Sequence, residues 1–456
     1  MKIIVLGAGQ VGRSLAESLV AENHDIVVVD TKRASLDILQ NRFDLQTVCG
    51  RCSYPDVLRD AGAESADILL AVTDSDESNM VACQVAYSLF QIPTKIARIR
   101  SQHYFIRKEL FGKDRVPIDV FISPEALVTK CVQGLIEFPG SLQVLDFAEG
   151  RLKLVAVKPF LGGSLLGKTI DEIGALFPAL SFRVVAIYRG DHSILIQENT
   201  TIEMGDEVFF IAPTKDVKAV ITALRSEESP CRKIMIGGGG NIGYQLARTL
   251  EKEYEVKIIE RSKERCDYLA RRLEKTTVFC GDATDSELLL NENIEEVDAY
   301  CAMTNEDENN ILSSLQAKKL GARQVMALVA RTAYVDLIEG GPINIAFSPQ
   351  LVTVSAILKY IRRGDIAHVY ALRRGAAEAM ELVVHGDEKT SQLVGRKIRK
   401  IKLPTHTMIG AVVRGDTVIL NDDVTIEEND HVILFVSSKD EIQDIERLFS
   451  VKTPLL

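Results

Sequence analysis

From residue 232 onward the chain replays its own beginning, almost element by element, at an offset of about 230 residues. Self-similarity of this kind restricts the fold more than any single motif, because each repeat has to be a unit that folds the same way twice. Lys2-Ile3-Ile4-Val5-Leu6-Gly7-Ala8-Gly9-Gln10-Val11-Gly12 returns as Lys233-Ile234-Met235-Ile236-Gly237-Gly238-Gly239-Gly240-Asn241-Ile242-Gly243, so Gly7, Gly9 and Gly12 fall on Gly238, Gly240 and Gly243. Ala71-Val72-Thr73-Asp74-Ser75-Asp76-Glu77-Ser78-Asn79 returns as Ala302-Met303-Thr304-Asn305-Glu306-Asp307-Glu308-Asn309-Asn310, and Ser123-Pro124-Glu125 as Ser348-Pro349-Gln350.

A second, unrelated module also repeats. Leu166-Gly167-Lys168 matches Val394-Gly395-Arg396, Tyr188-Arg189-Gly190 matches Val413-Arg414-Gly415, and Glu203-Met204-Gly205-Asp206-Glu207-Val208 matches Glu428-Asn429-Asp430-His431-Val432. A length of 456 residues suggests three domains of roughly 150. The repeats replace that expectation with two halves, each a large module followed by a small one. The expected boundaries are a large module at 1–123, a crossover helix at 124–141 and a small module at 142–227. After a polar linker at 228–231, the second large module takes 232–348, its crossover helix 349–367 and the last small module 368–453.

In the first large module the apolar runs Ile3–Leu6, Ile26–Asp30, Gln46–Cys49 and Ile68–Val72 alternate with helical segments at Val11–Glu22, Leu36–Arg42 and Asp56–Ala61. Short apolar strands separated by amphipathic helices call for a parallel sheet covered on both faces. The expected class is therefore α/β, with two Rossmann-like doubly wound parallel-sheet domains, each followed by a small α+β domain of short strands around one helix. After Pro124, residues Leu127, Val128, Cys131, Val132, Leu135 and Ile136 share one helix face. Leu351, Val352, Val354, Ile357, Leu358 and Ile361 do so in the second copy. These faces are either subunit contacts or surfaces buried within one chain.

GxGxxG is a weak signal by itself. Here Gly7-Ala8-Gly9-Gln10-Val11-Gly12 lies directly between a strand and a helix, and Asp30 closes the next strand 18 residues beyond Gly12. In a nucleotide fold the first Gly makes the turn, the second admits a pyrophosphate and the third lets helix and strand pack closely. The helix N-terminus then faces the anion. Asp30 would accept hydrogen bonds from ribose hydroxyls and repel a 2′-phosphate, which favours NAD or an adenosine nucleotide over NADP. Gly238, Gly239, Gly240, Asn241, Ile242, Gly243 and Glu260 repeat the pattern. The competing reading is a plain turn, and two occurrences in one chain weigh against it. Thr73-Asp74 and Thr304-Asn305 end the fourth strands, where ligands of open α/β sheets lie, although helix caps look the same.

The copies differ where ligand choice would be made. Arg51 follows the third strand of the first copy and Asp282 that of the second, and an Arg donates to phosphate where an Asp refuses it. Arg98 and Arg100 follow the fifth strand, against Leu328 and Ala330 in the second copy. The first site is expected to take more phosphate charge; the alternative is that these arginines are ordinary surface residues.

Other features narrow the function. A net charge of −10 argues against a general nucleic-acid-binding surface. The longest uncharged apolar runs, such as Ile68–Val72, are far shorter than the ~20 residues of a membrane span. Met1–Leu6 runs into the glycine cluster without the apolar region and cleavage site of a signal peptide, so a cytoplasmic location is expected. Gly162–Thr169 matches the phosphate-binding pattern GxxxxGK[ST]. Its counterpart ends in Gly395-Arg396-Lys397, its module is small, and Thr169-x-x-Glu172 already reads as a capping box. Cys49-Gly50-Arg51-Cys52 is a CxxC that would need two further ligands for zinc. The second copy keeps Cys280 but has Ala283, so Cys49 is expected to be strand-end core rather than half of a redox pair. The seven His are scattered, and G-x-S-x-G is absent.

Taken together, the large-small-large-small order, both glycine loops, the Asp30 and Glu260 strand ends and Thr73-Asp74-x-Asp76-Glu77-x-Asn79 resemble the RCK (regulator of conductance of potassium, or KTN) family in its tandem duplicated form. The resemblance covers nearly the whole chain. It implies RCK N-terminal domains that bind NAD(H) and ATP/ADP, RCK C-terminal domains behind them, and no catalytic residues. It further implies a homo-oligomer, a tetrameric ring, held at the cytoplasmic face of the membrane by a Trk-type potassium-translocating membrane protein whose gating it alters. Nucleotide contacts are implied at Gly7 to Val11, Asp30, Thr73, Asp74 and Arg98, and at Gly238 to Ile242, Glu260 and Thr304. Glu125 matches a position that takes part in cation binding in related regulators, while Gln350 stands there in the second copy; the metal stays unassigned. The rival functions are an NAD-dependent dehydrogenase, which would need a His, Lys or Asp dyad beside the nicotinamide, and a redox sensor using Cys49 and Cys52.

Overall fold

The computed structural model describes all residues except 23, 106, 113, 227–228, 339–340, 363–364, 374–375 and 452–456. Residue 228 of the expected linker and residue 453 of the last module therefore lie outside the described residues. The first large module is a six-stranded parallel sheet in the order Gln46–Cys49, Asp25–Asp30, Lys2–Leu6, Ile68–Ala71, Thr94–Arg98, Val120–Ile122. Ile3, Ile4, Val5 and Leu6 are fully buried because helices cover both faces, which is why the strand reads as one apolar run. The second large module repeats the order with Thr277–Cys280, Glu255–Glu260, Lys233–Gly237, Ala299–Ala302, Gln324–Leu328 and Ile345–Phe347. The doubly wound expectation holds in both. Helix ends differ slightly: the first helix runs Gln10–Val20 rather than to Glu22, because the Glu22 amide bonds the Leu19 carbonyl three residues back, a tighter turn that closes the helix.

The chain divides into two compact units that do not follow its halves. One is Met1–Leu127 with Ser348–Ile357; the other is Val128–Phe347 with Leu358–Leu456. Each large module thus takes its crossover-helix packing from the other half of the sequence. In the second unit, Val128, Val132, Leu135 and Ile136 of the helix Pro124–Glu137 join one core with Tyr244, Leu246, Ala247 and Leu250 of the second large module. In the first, Gln350 Nε2 donates to Gln10 Oε1 at 2.9 Å. Of the two sequence readings of these apolar faces, burial within one chain is the one observed for the first.

Each small module is a five-stranded antiparallel sheet. The first carries two helices, Ile170–Leu176 and Val217–Arg225, not the single one expected. Val217, Val220, Ile221 and Leu224 cover one sheet face. The opposite face packs on the second small module, through Phe147, Leu154, Tyr188 and Phe209 against Leu372, Ala411, Val413 and Phe435. The contact is pinned by a forked ion pair, Arg183 to Asp422 at 2.6 and 2.7 Å. It is also pinned by Glu381, which is 1% exposed and accepts from the Ala148 amide at 2.9 Å across the module boundary. Its two oxygens also face His368 Nδ1 at 3.0 Å and His431 Nδ1 at 2.6 Å.

The phosphate-loop lookalike at Gly162–Thr169 is a connector. The Leu165, Gly167 and Ile170 amides are taken by the carbonyls of Ala223, Ile202 and Thr200, so they cannot cradle phosphate. Thr169 and Glu172 form the capping box.

Candidate nucleotide sites

In both large modules the glycine loop sits where the strand order reverses, between the first and fourth strands, the crevice in which open α/β sheets bind ligands. Gly7 has φ +105° and Gly238 φ +108°, the left-handed conformation the sharp turn demands. A Cβ on Gly12 would lie 1.8 Å from the Gly7 carbonyl oxygen, and one on Gly243 1.9 Å from that of Gly238. The middle glycines are different: a Cβ on Gly9 or Gly240 meets nothing within 4 Å. The loop is therefore open on the side where a pyrophosphate would approach. Gly9 and Gly240 are also the N-caps of the helices Gln10–Val20 and Asn241–Leu250, and neither helix has a side-chain cap. Their first-turn amides, including those of Gln10, Val11, Asn241 and Ile242, are the donors that an anion at a helix N-terminus uses.

Asp30 holds this loop. Its Oδ2 accepts the Ala8 amide at 2.6 Å and its Oδ1 the Lys32 amide at 2.8 Å, leaving lone pairs on both oxygens for ribose hydroxyls. Glu260 does the same with the Gly239 and Ser262 amides, both at 2.7 Å. Gly239 explains how a longer acid fits. A Cβ there would stand 3.1 Å from both Cβ and Oε2 of Glu260 and 2.4 Å from Leu269 Cδ1. The pairs Ala8 with Asp30 and Gly239 with Glu260 are thus two solutions to one volume: the longer acid brings its Oε2 to within 3.1 Å of where an Ala methyl would stand. We expect Gly239→Ala to cost about 2 kcal/mol by overpacking and to weaken ligand binding. Most of both losses should return in Gly239→Ala/Glu260→Asp. Chemical denaturation of the two variants checks this, and equal stability of the single and double variants would refute the compensation.

At the fourth strand the expected residues separate into two groups. Thr73 and Thr304 turn inward: their hydroxyls donate to Asn79 Oδ1 at 2.6 Å and Asn310 Oδ1 at 2.7 Å. Asp74 and Asn305 are exposed at the crevice. The buried Asn79 and Asn310 then reach across to the carbonyls of Arg98 and Leu328, at 2.9 and 2.8 Å. Asp76 accepts the Arg100 and Ser101 amides, and Asp307 those of Ala330 and Arg331, all between 2.8 and 3.0 Å. These four buried residues fix the strand ends around the crevice, and none had been assigned to the site from sequence. Their recurrence in both copies was the available signal.

The arginines also part company. Arg98 lies partly buried beside the crevice; burial pulls its pKa down, with the Glu125 carboxylate opposing that. Its Nε is buried with no hydrogen-bond partner. A buried donor without a partner is costly, and a phosphate oxygen would relieve it. Arg100 bonds the Asp74 carbonyl. Arg51 is exposed, its guanidinium 5.8 Å from the Tyr54 ring centre. Asp282 is likewise occupied locally, its carboxylate held low by the Thr284 amide and hydroxyl at 2.9 and 2.7 Å. Glu125 is 7% exposed next to the Arg98 charge. Among the described residues no cluster of three or more His, Cys, Asp or Glu is arranged for a metal ion.

Cys49 departs from expectation. It is exposed rather than core, with Sγ 3.6 Å from the Thr31 carbonyl, while Cys52 packs into the module interior, where burial pushes its thiol pKa up.

Comparison with known proteins follows the same division. A family model described as the TrkA-N domain matches residues 3–124 and 234–349, and one described as the TrkA-C domain matches 155–225 and 388–450. The chain is 53% identical over 452 residues to the Trk system potassium uptake protein TrkA of Halomonas elongata, covering 99% of each. It is 52% identical over 451 residues to that of Vibrio alginolyticus, covering 98% of each. The solved GsuK channel bound to NAD shares the fold, with a TM-score of 0.62 at 18% identity over 98% of this chain and 78% of that one.

Proposed function

The chain belongs to the TrkA family, and from that premise we propose that it is the nucleotide-binding regulatory subunit of a Trk-type potassium uptake system. It would bind NAD(H) and ATP/ADP in its two large modules, assemble as a tetrameric ring on the cytoplasmic face of the membrane, and gate its membrane partner by changing shape. The observation that carries the reading is the open, uncapped glycine loop held by a strand-end carboxylate, built twice. The relative solved with NAD, at the level of fold, supports the choice of ligand class. Among the described residues no helix is long and apolar enough to cross a membrane, which fits a subunit that reaches the membrane through a partner.

The role of each residue follows from its position. The first-turn amides bind the pyrophosphate, Asp30 and Glu260 orient the ribose, and the Thr73 and Thr304 networks keep the crevice in shape. Arg98 distinguishes the first site, since Leu328 occupies its place in the second. A regulator of this kind needs a ligand that prefers one of two conformations, because equal affinity for both shifts nothing. A triphosphate reaching Arg98 supplies such a difference. Titration of Arg98→Ala should show ATP affinity falling about 10- to 100-fold with NADH affinity nearly unchanged. Equal losses for both ligands would remove Arg98 from phosphate selection.

A further inference from the structure

One cluster in the second large module is not used by the nucleotide reading. Cys266 lies on the helix Lys263–Arg272 and Cys280 ends the strand Thr277–Cys280, two elements that pack together. Cys266 Sγ is 3.1 Å from the Glu260 carbonyl oxygen and 4.0 Å from that of Phe279, the residue before Cys280. Cys280 Sγ is 4.0 Å from the carbonyl of Arg261, the residue after Glu260. The two thiols thus converge on one turn, against the carbonyls of the consecutive residues Glu260 and Arg261. Cys280 is exposed and Cys266 is buried. The first module has no such pair: strand register matches Cys49 to Cys280, but Leu36 fills the helix position of Cys266. The turn they share carries Glu260, whose carboxylate holds the glycine loop.

We propose that Cys266 and Cys280 are a peroxide-sensitive thiol pair whose reversible disulfide lowers nucleotide affinity at the second site. The exposed Cys280 thiolate attacks one oxygen of hydrogen peroxide; the O–O bond breaks, hydroxide leaves and is protonated to water, and Cys280 becomes a sulfenic acid. The Cys266 sulfur then attacks the Cys280 sulfur. The S–O bond breaks, and the oxygen departs as water with the Cys266 proton. Two thiols are oxidised by two electrons and one peroxide is reduced to two waters. Burial raises the Cys266 pKa to about 12, with Cys280 and Glu260 adding to it, which suits the resolving rather than the attacking role. A disulfide requires the two sulfurs to close to about 2.05 Å. That closure takes the Cys266 thiol off the Glu260 carbonyl and moves the strand end that orients Glu260.

The disulfide stands on the thiol geometry alone, whereas its effect rests on the nucleotide-site reading. The test uses the full chain with Asp30→Ala to silence the first site. It is exposed to hydrogen peroxide, then alkylated, mapped by mass spectrometry and titrated with NADH, with and without dithiothreitol. Free thiols should fall from eight to six per chain, with a 266–280 crosslink, a loss of NADH affinity of about fivefold or more, and recovery on reduction. Cys280→Ser and Cys266→Ala should bind NADH normally and ignore peroxide. A Cys280 sulfinic acid with Cys266 still reduced, or a crosslink with unchanged affinity, overturns the proposal. A reduced protein that fails to bind NADH while still forming the crosslink strikes the site reading instead.

Discussion

Gly12→Ala is expected to destroy the proposed first nucleotide site and destabilise its module, while Gly9→Ala, three residues away, should leave the fold intact and remove binding alone. At Gly12 the new methyl would sit 1.8 Å from the Gly7 carbonyl oxygen and 2.9 Å from its carbon, both backbone atoms that cannot rotate aside. The helix cannot retreat either, because Leu15, Ala16 and Leu19 are fully buried against the sheet. The expected cost is about 4 kcal/mol, at the top of the range for single substitutions. At Gly9 a Cβ meets nothing within 4 Å, so the protein should melt within a degree or two of wild type. The methyl instead fills the approach of the pyrophosphate, and affinity should fall at least about 100-fold. Thermal melts with nucleotide titrations separate the two. Gly9→Ala that binds normally would show that the ligand does not lie on this loop, and a stable Gly12→Ala would show that helix and strand are not in close contact here. Gly243→Ala should repeat the result in the second module, where the contact is 1.9 Å.

A second large effect is expected at the junction of the small modules. Burial alone would raise the pKa of Glu381, but hydrogen bonds from His368, the Ala148 amide and His431 outweigh it and bring it from 4.5 down to about 2. A carboxyl whose folded pKa is depressed contributes stability that is complete above its unfolded pKa and lost as pH falls toward the folded one. The window here is pH 4.5 to 2. Over that span the contribution amounts to about 3 kcal/mol. Glu381→Gln should therefore be less stable than wild type by that amount near pH 6, with the gap closing as pH drops from 4.5 toward 2. Urea unfolding across that range measures it, and a difference that does not depend on pH would mean the carboxylate charge is not what joins the modules.

Both effects trace to features of unequal visibility in the sequence. The glycine loops, Asp30 and Glu260 were legible because the whole device is local: strand, turn, helix and next strand end lie within about 30 residues. Duplication made the architecture legible as well, since each half confirms the other's strand and helix pattern. What stayed hidden is non-local. Nothing in the spacing announces that Glu381 is reached from Ala148, 233 residues away, or that the start of the second crossover helix joins the first large module. The Gly239 with Glu260 exchange looks like a defect until the two side chains are seen to share one volume. Asp76, Asn79, Asp307 and Asn310 resemble helix-start residues in sequence, and only the sheet shows that they bind the end of the fifth strand. Cys49 differs from its sequence expectation for a related reason: a thiol closing an apolar strand looks like core, but the strand is at the sheet edge and its last residue is exposed.

The central claim is that nucleotide bound in these crevices changes the activity of a membrane partner. It is tested most directly by potassium flux through the purified Trk-type membrane protein in liposomes, with this chain added and ATP, ADP, NAD and NADH supplied in turn. The account predicts flux that depends on which nucleotide is present, and a dependence that Gly9→Ala combined with Gly240→Ala abolishes. Flux indifferent to every nucleotide, or NADH consumed stoichiometrically with reduction of a carbonyl substrate, would contradict it.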